Sequence, residues 1–152
     1  MGLFSGNALN VAVLSDEAKG DKRKVEELKR AEVLKAGQLR TMAEFLDRAE
    51  ADIEDVFEPE VFVAILNGCY NLQGEAKLTV ERLRAADPST ERLVKQAEAA
   101  FRVLPESTPM LDHFTPAAWL IRNPKILDAK NAATGRTLDK AETIFSTYNQ
   151  LL

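Results

Sequence analysis

Asn10-Val-Ala-Val-Leu-Ser-Asp-Glu-Ala-Lys-Gly20 is the stretch on which the fold turns. A short apolar run breaks into two acids and a glycine, and a charged segment follows. Val11, Val13 and Leu14 carry little polar interruption, which predicts a buried, parallel-type strand over Leu9–Leu14. Gly20 opens a predicted helix to about Ala36, with Val25, Leu28, Ala31 and Val33/Leu34 as its apolar stripe and Gly37 as its C-cap. Gln38 to Met42 fits a second strand, so residues 9–42 form a β-α-β unit with a right-handed crossover. Ala43 to Ala51 also reads as helix.

Helices account for the remainder. Pro59 suits a first helical turn, and Val61, Phe62, Ile65, Leu66, Cys69 and Tyr70 recur on one face. Thr79 to Ala86 is a short helix. Asp87-Pro-Ser-Thr90 caps the next, with Leu93, Val94, Ala97, Phe101 and Leu104 as its stripe. Pro105 to His113 has the composition of a linker. Thr115-Pro116 introduces the helix that holds Trp119, and Asn123-Pro124 ends it. Thr137 caps the last, where Leu138, Ala141, Ile144, Phe145, Tyr148 and Leu151 share a face. The expected class is α/β and helix-rich, with a partial α/β region over 1–72 and a helical region over 73–152 that together make one structural unit.

A chain of 152 residues, 45% hydrophobic and 29% charged, is of globular domain type. No apolar run reaches bilayer length, and the N-terminus lacks the charged region and cleavage site of a signal peptide. One cysteine, Cys69, excludes an internal disulfide and fits a reducing setting, so a cytoplasmic location is expected. The net charge of −4 argues against nucleic-acid binding by the whole surface. The charge is uneven, however: Lys19 to Arg40 holds eight bases and four acids, and Glu44 to Glu60 holds eight acids and one base. Either a phosphate chain sits near a cation there, or these are two solvated helix faces of opposite sign.

Soft-ligand zinc sites and P-loop chemistry have no residues to support them, because there is one His, one Cys and no G-x-x-x-x-G-K-[ST] run. His113 lies in a proline-flanked loop without a nucleophile elbow around any serine. Carboxylates remain. Asp16 and Glu17 follow the first strand, at the end where open α/β folds place ligands, and Asp52, Glu54 and Asp55 lead into the later helix. Such oxygens suit Mg²⁺ or Mn²⁺.

Asn10 to Arg23, with Phe45-Leu-Asp-Arg-Ala-Glu-Ala-Asp-Ile-Glu-Asp-Val-Phe57, resembles the topoisomerase–primase (Toprim) domain of the OLD (overcoming lysogenization defect) family of ATP-dependent endonucleases. There an apolar strand ends in Asp-x-Asp-x-x-Gly, and a later Ile-Glu-Asp or Ile-Glu-Asn opens a helix. The similarity covers about residues 6–70. It implies a metal-dependent DNA nuclease, with Glu17 and Glu54 as catalytic residues and Asp16, Glu17, Asp52, Glu54 and Asp55 around Mg²⁺ or Mn²⁺. Its implied partners are DNA and an ATPase domain, with a homodimer also allowed and no membrane. Aligned on Gly20, Ser15 stands where the first Asp belongs, and the family's upstream strand has no counterpart. The chain therefore matches the C-terminal part of such a domain, incomplete or degenerate by itself. The alternative is a non-catalytic Toprim-like interaction or regulatory module.

Overall fold

The computed structural model describes residues 11–18, 20, 22–30 and 37–151. They fall into two units, one within Met1–Ile53 and Ala141–Leu152, the other Glu54–Lys140. The architecture is a helix-rich α/β one with a small parallel sheet.

In the first unit β1 (Val13–Ser15) pairs in parallel with β2 (Leu39–Thr41), and α1 (Lys22–Arg30) lies between them in sequence. Val13 stands opposite Leu39, and Ser15 opposite Thr41. The expected β-α-β order is therefore present, with β1 displaced toward Ser15. Leu9 and Asn10 lie outside the described residues, as do Ala31, Val33 and Leu34 of the expected stripe. Of that stripe Val25 is buried, but Leu28 is 56% exposed. Positions three apart on a helix point about 60° away from each other, so burying one does not bury the other. Gly37 adopts φ +85°, a left-handed backbone that glycine enters without a Cβ clash.

α2 (Met42–Leu46) is shorter than the helix expected to Ala51. Asp47 turns left-handed at φ 51° and donates its N–H to Ala43, as short polar residues tolerate at helix ends. Ala51 is then drawn into an antiparallel bridge with Glu17. From α7 (Ala132–Leu151), Tyr148 donates its hydroxyl to the Val13 carbonyl at 2.8 Å and leans on the Phe45 ring.

In the second unit α3 (Pro59–Cys69), α4 (Val80–Ala86) and α5 (Leu93–Phe101) enclose a core that includes Phe62, Leu66, Leu83, Leu93 and Ala97. α6 (Phe114–Arg122) packs on α3 and lays the Trp119 ring over Gly68, where an added Cβ would lie 2.5 Å from it.

The helix starts correct three expected caps. The α5 amide of Leu93 goes to Asp55, not to the Asp87–Thr90 run. α6 begins at Phe114, two residues earlier than Pro116, and is capped by Asp112, whose Oδ1 accepts from the amides of Phe114 and Thr115. α7 starts at Ala132, where Asn131 Oδ1 accepts the Thr134 amide. Thr137 is interior to that helix, and its hydroxyl accepts the Glu58 amide. In each case a carboxylate or amide oxygen held in position by the fold reaches the free N–H groups that every helix start presents.

Candidate carboxylate site

The acids after β1 sit where the parallel pair ends. Glu17 exchanges both backbone hydrogen bonds with Ala51, at 2.9 and 3.0 Å. Its neighbour Asp16 accepts the Ile53 amide on Oδ1 at 2.7 Å. The two acidic stretches are thereby joined at their near edges, residues 16–17 against 51–53. The two side chains diverge, as successive residues of extended chain do. Glu17 Oε2 accepts the Thr41 hydroxyl at 2.6 Å, and Thr41 is fully buried.

Thr41 is also the N-cap of α2. Its hydroxyl oxygen accepts the Glu44 amide, and the Glu44 carboxylate accepts the Thr41 amide, a reciprocal capping box. Lys29 of α1 donates to Glu44 Oε1 at 2.8 Å. Burial would push the Glu44 carboxyl up, but the Lys29 hydrogen bond and the Thr41 amide outweigh it and hold the group below its ordinary value. The same hydrogen bond holds the Lys29 ammonium above its ordinary value, against the cost of burial. Thr41, Glu44 and Lys29 carry this network, and none was singled out from the residues alone. The Thr41-x-x-Glu44 spacing was the available signal. Beside the network lies a cleft of about 330 Å³, with Glu17, Glu26, Glu44 and Asp47 set against Lys29 and Arg48.

The remaining acids have other surroundings. Asp52, in the first unit, is 3% exposed. Glu54 and Asp55 belong to the second unit. Glu54 Oε1 lies 3.4 Å from His113 Nδ1, whose Nε2 is 4.0 Å from Glu98. Asp55 is 1% exposed and caps α5.

Among the described residues no group of three or more His, Cys, Asp or Glu side chains is placed to hold a metal ion. A hard divalent cation takes about six oxygens, several of them from water and substrate, so one or two protein carboxylates is a thin share. The described residues do not fit Mg²⁺ or Mn²⁺ by themselves.

No family model, curated protein or solved structure matches this chain.

Cys69 is half-buried, and desolvation pushes its thiol up to about 11. A thiol that holds its proton at neutral pH is a poor nucleophile, which agrees with a packing role on the apolar side of α3. None of the described helices is long and apolar enough to cross a membrane.

Proposed function

We propose that this chain is the C-terminal portion of a Toprim-type, divalent-metal-dependent DNA nuclease of the OLD lineage, and that it is incomplete by itself. The observation that carries the reading is the joint between the acidic stretches. Asp16 and Glu17 leave the C-terminal end of a parallel strand and bind the backbone of residues 51–53, ahead of Glu54 and Asp55. That is the end of an open α/β unit where ligands collect. The missing donors would come from a preceding strand, in the same chain or in a partner that also carries the ATPase. The test is nicking of supercoiled plasmid in Mn²⁺ by the reconstituted assembly. Loss of about tenfold or more in Glu17→Ala and in Glu54→Ala is expected, each tenfold being about 1.4 kcal/mol of barrier. Full nicking by Glu54→Ala would remove the role assigned to it.

A second reading, a non-catalytic interaction or regulatory module, is favoured by a specific observation. The Asp16 and Glu17 side chains already serve as acceptors within the first unit, and Ser15 occupies the last strand position. A Mn²⁺ titration read by thermal unfolding separates the two. A stabilisation that vanishes in Glu17→Ala supports the metal site, and no stabilisation at millimolar metal supports the module.

A further inference from the structure

Leu104 and Thr134 are buried, and between them, from Pro105 to Ala133, no residue is. α6 lies in the middle of this run. α3 and α5 bury five residues each, whereas α6 buries none. Two of its large apolar side chains already stand in water, Phe114 at 85% and Ile121 at 80% exposure. Lifting α6 from α3 therefore hydrates only half-covered surface, on α6 that of Thr115, Pro116, Trp119 and Leu120. The hydrophobic cost of opening scales with that area alone.

The hold on this segment is narrow. The Trp119 ring lies over Gly68 of α3. Just before α6, the Asp112 amide donates to the Tyr70 hydroxyl at 3.0 Å, which also lies 3.4 Å from the Asp112 carboxylate. Tyr70 is a firm anchor, 9% exposed and edge-on to the Phe101 ring at 4.9 Å. Leu111 adds partial packing against the core. His113 Nδ1 stands 3.4 Å from Glu54, a long contact open to water. We propose that residues 105–133 form a strap that opens from α3 while α3, α4 and α5 stay folded, with Tyr70 on Asp112 as its latch.

Folded proteins open locally in cooperative pieces, and the pieces with the fewest buried apolar contacts open most readily. The strap fits that description, because its two ends are fixed at Leu104 and Thr134 and nothing between them enters the core. Pro105, Pro109 and Pro124 also lack the N–H that would tie their backbone down. A helix as short as α6 does not persist alone in water, so it melts as it leaves. Opening uncovers the Gly68 side of α3. The inference does not depend on the nuclease reading.

Urea titration of the full chain with two probes tests it. Trp119 is the only tryptophan, so its emission reads the strap, while far-ultraviolet circular dichroism is carried mainly by the other helices. The Trp119 transition should come at lower urea, and with a shallower slope, than the dichroism transition. In native-state hydrogen exchange the α6 amides of Leu120 and Ile121 should exchange about tenfold or more faster than those of Ile65 and Leu66 in α3, with a weaker urea dependence. Tyr70→Phe removes the latch hydroxyl and keeps the ring, so it should lower the Trp119 midpoint and leave the dichroism midpoint in place. Asp55→Ala, which uncaps α5, should do the reverse. Coincident transitions of equal slope overturn the proposal, and so do α6 amides that exchange only together with those of α3. An unmoved Trp119 midpoint in Tyr70→Phe overturns the latch.

Discussion

Thr41 donates its hydroxyl proton to Glu17 Oε2 at 2.6 Å while the same oxygen accepts the Glu44 amide. One buried hydroxyl thus fixes a carboxylate beyond β1 and the first turn of α2. Thr41→Val keeps the shape and removes both bonds, leaving an unsatisfied acceptor and an uncapped helix. The expected loss is about 1–3 kcal/mol in urea unfolding, and Thr41→Ser should recover most of it. With EDTA present the loss should be the same, because the bond involves no metal. In a double-mutant cycle with Glu17→Gln, a coupling of about 0.5 kcal/mol or more is expected for groups in direct contact.

Asp55 is 1% exposed, and its Oδ1 accepts the Leu93 amide at 2.9 Å. Asp55→Ala strips α5 of that cap and opens a small void, with an expected cost of about 1–3 kcal/mol. Asp55→Asn retains an acceptor oxygen and should cost less. If Asp55→Ala unfolds at the wild-type urea midpoint, the cap contributes nothing.

Glu58 precedes Pro59 and receives Arg136 Nε and Lys140 Nζ, each at 2.7 Å. Burial would push its carboxyl up, but the hydrogen bonds from Lys140 and Arg136 outweigh burial and hold it below the ordinary 4.5. The folded value lies under the unfolded one. The contribution is therefore complete above the ordinary value and is lost as the pH falls through the folded value. Because Arg136 is open to water, the amount is on the order of 1 kcal/mol. Stability measured from pH 7 to pH 3 should fall less steeply below about pH 4.5 in Glu58→Gln than in the wild type. Parallel acid limbs would contradict this.

Gly68 leaves room for the Trp119 ring, which an added Cβ would meet at 2.5 and 2.6 Å. Gly68→Ala must push the ring aside, although alanine is otherwise the better helix former. A net loss of about 1–3 kcal/mol is expected, as for overpacked cores. Trp119→Leu, in the same background, should make Gly68→Ala nearly neutral. A Gly68→Ala protein as stable as the wild type would mean that α6 shifts freely on α3.

The β-α-β order was readable because strand and helix differ in hydrophobic period, and a parallel strand such as Val13–Ser15, half-buried at all three positions, still leaves an apolar run. The face of α3 was readable for the same reason: Val61, Phe62, Ile65 and Leu66 repeat at helical spacing and are all buried. Caps were less legible. Asp55 caps α5 from 38 positions away in the chain, a partnership that local spacing does not encode. The candidate acids were found by type and position, but Asp16, Glu17 and Asp55 accept hydrogen bonds from Ile53, Thr41 and Leu93. Periodicity carries no information about where an individual carboxylate oxygen points.

β1 pairs in parallel through Ser15, and two residues later Glu17 pairs antiparallel with Ala51. The chain changes pairing sense across Asp16 alone, which fixes the length of this hinge to one residue. A single-residue insertion or deletion between Ser15 and Glu17 would slip the second ladder by one place and swap which acid faces Thr41. Natural length variation in related chains should therefore avoid this point, however freely the side chain at position 16 is exchanged.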